Sequence, residues 1–206
     1  MPAVVAIGVS TGGPAALEEL LPRLPRFFPL PVVVVQHMPE LFTALLAERL
    51  QRFCSLQVRE ASEGVPLLPG TVFIARGDRH LEALKPSTAR LPPTLHLTSG
   101  PLENHCRPSV DVLFRSLAAV FGGNVLALVL TGMGNDGLAG CRLLRDAGAT
   151  ILVQDEASSA IWGMPGAVAT AGLADQVLPL AQIAPEILRL TRSCVKEARE
   201  LREATA

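Results

Sequence analysis

Aromatic residues are scarce in this 206-residue chain: they make up 4%, with one tryptophan and no tyrosine. Charge of either sign is also nearly cancelled, 18 basic residues against 19 acidic ones leaving a net −1. Nucleic-acid binding calls for a cationic footprint, and single-strand binding adds aromatic stacking platforms, so these two deficits exclude that class of partner. Long hydrophobic runs are missing too. The apolar run Phe27–Val35 is far too short to cross a bilayer, and the N-terminus lacks the basic region, extended apolar region and clear cleavage site of a leader. The expectation is a cytoplasmic chain that does not insert into membranes. Cysteines are few: Cys54, Cys106, Cys141 and Cys194 stand far apart and form no C-x-x-C. A domain of this size does not need disulfide staples, so they read as free thiols.

What is abundant is apolar bulk, 49% of the chain, punctuated by 17 glycines and 17 prolines spread between the apolar runs. Such a chain suits one domain, here residues 1–206, able to bury roughly 70% of the surface its unfolded form exposes. There is no internal repeat and no domain boundary; the core is expected over about 3–180 and a terminal helix over about 182–204.

Ala3–Gly8, Val32–Gln36, Thr71–Ala75, Val125–Leu130 and Thr150–Gln154 are short runs rich in Val, Ile and Leu without polar alternation, as expected of strands buried on both faces. Helix-period segments lie between them at Pro14–Leu21, Leu41–Phe53, Ser109–Phe121 and Leu138–Ala147, the last closed by Gly148. Alternation of strand and helix predicts an α/β fold: three layers, α/β/α, doubly wound and Rossmann-like around a mostly parallel sheet. In Pro92–Thr98 polar and apolar residues alternate around His96, which suggests a small antiparallel hairpin. From Gln182 to Arg202, Ile183, Ile187, Leu190, Cys194, Ala198 and Leu201 recur at spacings of three and four. This is an amphipathic helix, to be packed on the body or against a partner.

Three loops carry chemistry. The first strand runs into Gly8-Val9-Ser10-Thr11-Gly12-Gly13-Pro14, a G-x-S-x-G-G turn that opens a helix. It admits three readings: a nucleophilic serine held clear of the sheet, a phosphate-cradling dinucleotide loop, or a plain turn with Ser10 or Thr11 as helix cap. Against the dinucleotide reading, Ser10 replaces the middle glycine of G-x-G-x-x-G, and the next strand ends in Gln36-His37 instead of a ribose-binding acid. His37 then falls at the carboxyl edge of the sheet, where open parallel sheets gather ligands. His80 is the rival base, although Asp78 and Arg79 beside it equally suggest a hydrogen-bonded turn. The third loop, Thr131-Gly132-Met133-Gly134-Asn135-Asp136-Gly137, follows another strand and carries one acid, which catalysis or simple capping of the next helix would explain. If the strands are parallel, all three loops share one edge. A serine hydroxyl needs a histidine to take its proton and a carboxylate to orient that histidine, and Ser10, His37 and Asp136 are of the right types.

Taken together, Ile7–Pro14, Gln36-His37-Met38-Pro39, Arg107-Pro108-Ser109-Val110-Asp111-Val112-Leu113-Phe114 and Thr131–Gly137 resemble CheB-type chemotaxis protein-glutamate methylesterases. Gly77-Asp78-Arg79-His80 and Gly163-Met164-Pro165 fit as well. The resemblance runs collinearly over roughly Val4–Pro179. It implies a catalytic triad of Ser10, His37 and Asp136, with Thr11 and the backbone N–H of Met133 stabilising the oxyanion. It implies hydrolysis of glutamate γ-methyl esters on the cytoplasmic domains of chemoreceptors, with glutamine deamidation by related chemistry. No cofactor and no metal is expected, the scattered His and Cys positions offering no convincing tetrahedral ligand set. A non-catalytic docking module of the same fold is the alternative. Two departures stand out. Cys106 occupies the position before Arg-Pro-Ser where the family usually has histidine. The family also commonly places a receiver domain ahead of the esterase, whereas this chain opens on the first esterase strand. Either that segment has been removed or the enzyme works alone, with a separate receiver-domain regulator as a partner.

Overall fold

The structure is a computed structural model that describes residues 1–88, 90–192 and 194. In chain order its elements are β1 (Val4–Val9), α1 (Gly13–Leu20), β2 (Val32–Gln36), α2 (Glu40–Gln51), β3 (Gln57–Glu60), β4 (Thr71–Ile74), β5 (His80–Leu84) and β6 (Thr94–Thr98). They continue with α3 (Val110–Phe121), β7 (Val125–Val129), α4 (Leu138–Asp146), β8 (Thr150–Gln154), α5 (Met164–Thr170), β9 (Gln176–Leu178) and α6 (Leu180–Leu190).

Seven strands form one sheet in the order β3-β4-β2-β1-β7-β8-β9, and every pair in it is parallel. Each of the five strands expected from unbroken apolar runs is present within a residue or so of its expected limits, and these five occupy the middle of the sheet. All six residues of β1 and all five of β2 are buried, because helices cover both faces. Val5, Ile7, Val9, Val32, Val34, Leu126 and Leu128 point into one apolar layer with Leu17, Leu50, Ile183 and Ile187 of the helices α1, α2 and α6. Val4, Ala6, Val33, Val35, Ala127 and Val129 point into the other, against Leu113, Phe114, Leu117, Leu144 and Val168 of α3, α4 and α5. Full burial of each such aliphatic side chain contributes about 1.5–3 kcal/mol, so the two-sided layering dominates the stability of the fold.

The elements absent from the sequence reading are β3, β5, β9 and α5. Strands β3 and β9 lie at the edges of the main sheet, where short polar strands are common: β3 reads Gln-Val-Arg-Glu and β9 has three residues. Helix α5 has only seven residues and contains Pro165 and Gly166. The expected hairpin exists as a separate two-stranded antiparallel unit, β5 paired with β6, in which His96 stands opposite Glu82. Helix α6 starts two residues earlier than expected and packs on the body through Ile183, Ala184 and Ile187. The rest of the helix expected as far as Arg202 lies outside the described residues, apart from Thr191, Arg192 and Cys194.

Chain direction changes sides of the sheet at β1: the next strand in sequence, β2, lies on one flank, and β7 lies on the other. In an open parallel sheet such a switch point leaves a crevice beyond the carboxyl ends of the strands. The loops after β1, β2 and β7 all open there.

Candidate active site

Ser10 leaves β1 with its backbone held at both ends. Its N–H donates to Thr131 O at 3.0 Å, and its carbonyl accepts from Gly13 N at 2.8 Å and from Gln36 Nε2 at 3.0 Å. The cap of α1 is Gly12, at φ +83° and without any side-chain cap bond. Neither Ser10 nor Thr11 therefore caps the helix, which removes the purely structural reading of the turn. Among the described residues the Ser10 hydroxyl makes no hydrogen bond, while the residue itself is partly buried. Thr11 is exposed, its carbonyl accepting from Thr131 Oγ1 at 2.9 Å.

His37 follows β2, and its N–H donates to Val9 O at 3.1 Å, which sets it alongside the end of β1. Buried Gln36 fastens the two strand ends together: its one amide nitrogen donates to Ser10 O and to His37 O, each at 3.0 Å. The imidazole reaches across to the loop after β7, with Nε2 2.7 Å from Asp136 Oδ2.

Asp136 is only 2% exposed and is the most heavily bonded side chain of the site. Oδ2 accepts from His37 Nε2 and from Val110 N, each at 2.7 Å. Oδ1 accepts from Ser109 Oγ at 2.8 Å, Asn104 Nδ2 at 2.9 Å, Asp111 N at 3.0 Å and Gly137 N at 3.0 Å. Two of these donors are the first two N–H groups of α3, which have no acceptor within their own helix. Burial works to raise the carboxyl pKa, but the hydrogen bonds from His37, Val110, Asp111 and Ser109 outweigh it and hold the group below its ordinary value. Asp136 is thus an anion and can only accept. The proton of the 2.7 Å contact belongs to Nε2, and Nδ1 carries the ring's accepting lone pair.

Beside that lone pair is Cys106, its Sγ 3.6 Å from His37 Nδ1. Burial and then the charge of Asp136 push its thiol up. Cys106 sits on a tight hairpin in which Glu103 and Cys106 exchange backbone bonds of 3.1 and 2.9 Å. Between them Asn104 and His105 have φ +52° and +61°, a turn conformation that asparagine tolerates well. Asn104 donates to Asp111 Oδ2 at 2.8 Å as well as to Asp136, and Asp111 Oδ1 accepts from Gly140 N at 2.6 Å. A cleft of about 430 Å³ opens at this point, lined by His37, Met38, Asp78, His105, Cys106 and Arg107.

The rival base, His80, is placed elsewhere in the hydrogen-bond scheme. It is buried, its Nε2 donates to Pro101 O at 2.8 Å, and its Nδ1 accepts from Ser109 N at 3.2 Å. Both ring nitrogens are occupied by backbone, so this histidine steadies the start of α3. His96 is on the hairpin surface, 2.8 Å from Glu63.

Gly132 brings the third loop against Ser10. A Cβ there would stand 2.4 Å from Met164 Sδ and 2.8 Å from Ser10 Cβ, so no other residue allows the approach. Its N–H donates to Ile161 O at 2.9 Å and its carbonyl accepts from Met164 N at 2.8 Å, fixing the loop to the start of α5. The next residue, Met133, is 72% exposed, and among the described residues its N–H makes no hydrogen bond. Ser10, Thr11, His37, Met133 and Asp136, chosen from sequence, thus all lie in the loops that meet at the switch point. Gln36, Asn104, Ser109 and Asp111 were not singled out; the only sequence signal for three of them was their place in or beside the Arg107–Phe114 segment.

Comparison with known proteins follows this geometry. Residues 5–187 match the family model described as CheB methylesterase. A protein-glutamate methylesterase/protein-glutamine glutaminase of Trichodesmium erythraeum is 53% identical over 186 residues, covering 90% of this chain and 52% of the relative. A protein of the same description from Nocardioides sp. is 56% identical, covering 90% of this chain and 50% of the relative. The chain therefore spans about half the length of these curated relatives. Among solved structures, the Thermotoga maritima CheB methylesterase catalytic domain superposes with a TM-score of 0.89 at 38% identity, over 92% of this chain and 99% of that one. Parallel sheet, three-loop site and collinear match agree: the chain belongs to the CheB methylesterase family.

Proposed function

We propose that this chain is a serine hydrolase that cleaves γ-methyl esters of glutamate on chemoreceptor cytoplasmic domains, releasing methanol, and that it deamidates receptor glutamines by the same route. The observation that carries the reading is the 2.7 Å contact of His37 Nε2 with Asp136, at the sheet edge where Ser10 also lies, its hydroxyl making no hydrogen bond among the described residues. The names of the relatives, protein-glutamate methylesterase/protein-glutamine glutaminase, support the substrate class. The cytoplasm is the compartment in which such a substrate is met. Among the described residues no helix is long and apolar enough to span a membrane.

In the proposed mechanism Ser10 Oγ attacks the ester carbonyl as its proton passes to His37 Nδ1. Asp136, fixed as an anion, accepts from Nε2–H throughout and stabilises the imidazolium. The Thr11 hydroxyl and the Met133 N–H donate to the oxygen that becomes negative. Collapse of the tetrahedral species breaks the bond to the methoxy group, which leaves as methanol with the proton from His37. Water, deprotonated by His37, then hydrolyses the glutamyl–Ser10 ester. With a glutamine substrate ammonia leaves in place of methanol.

Membranes carrying radiomethylated receptors, incubated with the protein and followed for volatile methanol, test the reading directly. Ser10→Ala should abolish release and His37→Ala should cost about 10⁴-fold. Unchanged release by Ser10→Ala would refute the proposal. Control by a receiver domain is part of the same proposal, read as a change in rate when a phosphorylated receiver partner is added.

A further inference from the structure

We propose that His37 and Cys106 form a binding site for a soft divalent cation, zinc foremost, and that occupancy of this site arrests the hydrolase. The arrest rests on the function proposed above; the metal site does not.

Geometry comes first. A tetrahedral zinc ion bonded to sulfur at about 2.3 Å and to imidazole nitrogen at about 2.0–2.1 Å holds those two ligand atoms about 3.6 Å apart. Cys106 Sγ and His37 Nδ1 are 3.6 Å apart, so both can ligate one ion without moving. The imidazole is also supported as metal-binding histidines are, its other nitrogen donating to a carboxylate, here Asp136 at 2.7 Å. That bond keeps the proton on Nε2 and turns the lone pair of Nδ1 towards the thiol.

Asp136 belongs to the same cluster, since one donor atom from each of His37, Cys106 and Asp136 lies within 4.8 Å of the others. Its two oxygens already accept six hydrogen bonds, and it serves the site by orienting His37 rather than by ligating. His37 and Cys106 both line the cleft, and water fills the remaining coordination positions. Thiolate and imidazole favour zinc over magnesium or calcium, which prefer oxygen donors. As the metal–sulfur bond forms, the Cys106 proton leaves to solvent; no electron is transferred.

Inhibition follows from the tautomer. In the mechanism proposed above Nδ1 takes the Ser10 proton, and a cation on its lone pair removes the base. Cysteine at this position, where the resemblance leads one to expect histidine, supplies the soft ligand.

The test uses metal-free protein and two readouts. Cobalt(II) reports binding through thiolate-to-cobalt charge-transfer absorption, and zinc should displace it. Labelling of Ser10 by a serine-directed phosphonate and methanol release report the active site, each variant being compared with its own metal-free rate. The wild type should show the absorption and lose activity in buffered zinc, with recovery on adding a chelator. Cys106→Ala should lack the absorption and need at least about tenfold more zinc for the same inhibition. Absorption that is missing in the wild type, or that persists in Cys106→Ala, overturns the site. Zinc that binds without slowing labelling overturns the arrest. Failure of the metal-free wild type to label would instead count against the hydrolase reading, with cobalt still deciding the metal site.

Discussion

Replacing Asp136 by asparagine changes one oxygen into an NH₂ group at a position surrounded by donors, and the structure dictates which oxygen it must be. Oδ1 accepts from four donors, Ser109 Oγ, Asn104 Nδ2, Asp111 N and Gly137 N, whereas Oδ2 accepts from two, His37 Nε2 and Val110 N. The amide nitrogen therefore takes the Oδ2 position. There it meets Val110 N–H, a buried donor that loses its acceptor at a cost of about 1–3 kcal/mol. It also meets His37, which can relieve the clash by shifting its proton from Nε2 to Nδ1. Nε2 then accepts from the amide, and Nδ1 becomes a donor.

The shift leaves Ser10 without a base while the site keeps its shape. The expected loss in kcat is on the order of 10⁴, or about 5.4 kcal/mol of transition-state stabilisation, against a far smaller loss of folding stability. Turnover of methylated receptor and a denaturant unfolding curve on the same preparation separate the two quantities. A folded Asp136→Asn enzyme that keeps a tenth or more of wild-type kcat would refute both the assignment of the proton to Nε2 and the use of Nδ1 as the base.

The Asp136 carboxyl, held below its ordinary value of 3.8, binds its proton less readily in the folded state than in the unfolded one. Its contribution to stability is therefore complete above about pH 3.8 and lost as pH falls through the folded value. Denaturant midpoints of wild type and Asp136→Ala should differ at neutral pH and converge towards acid; a constant difference across that range would contradict the sign. Gly132→Ala places a methyl group against Met164 Sδ and Ser10 Cβ, displacing the nucleophile. It should lower kcat at least about 100-fold and stability by about 1–3 kcal/mol, measured by turnover and unfolding; wild-type turnover would show that the Ser10 turn is not held by this contact.

The middle of the sheet was legible because β1, β2, β4, β7 and β8 are buried on both faces and so read as unbroken apolar runs. The edges were not, since β3 and β9 bury less and look like loop. The helices α1 to α4 announced themselves by periodicity, whereas the seven residues of α5 complete too few turns to do so. Convergence of the three loops was legible only as a condition. Parallel strands put Ser10, His37 and Asp136 on one edge, but the strand order that sets β1 between β2 and β7 is fixed by packing on both faces and leaves no local mark.

Asp136 makes the limit of a residue-by-residue reading concrete. Catalysis and capping of the next helix looked like competing explanations for it, but α4 has Gly137 as its cap without a side-chain cap bond, and the helix start that Asp136 serves is that of α3. The carboxylate does accept from the N–H of Gly137 at 3.0 Å. Its other backbone donors are Val110 and Asp111 at the start of α3, joined by the Ser109 hydroxyl, 25 to 27 residues earlier in the chain. Those bonds offset the burial of the charge and so keep the carboxylate ionised, and an ionised carboxylate fixes the His37 proton on Nε2. In the proposed mechanism, the base that serves Ser10, and that a zinc ion would occupy, thus depends on a helix terminus elsewhere in the fold that required an acceptor.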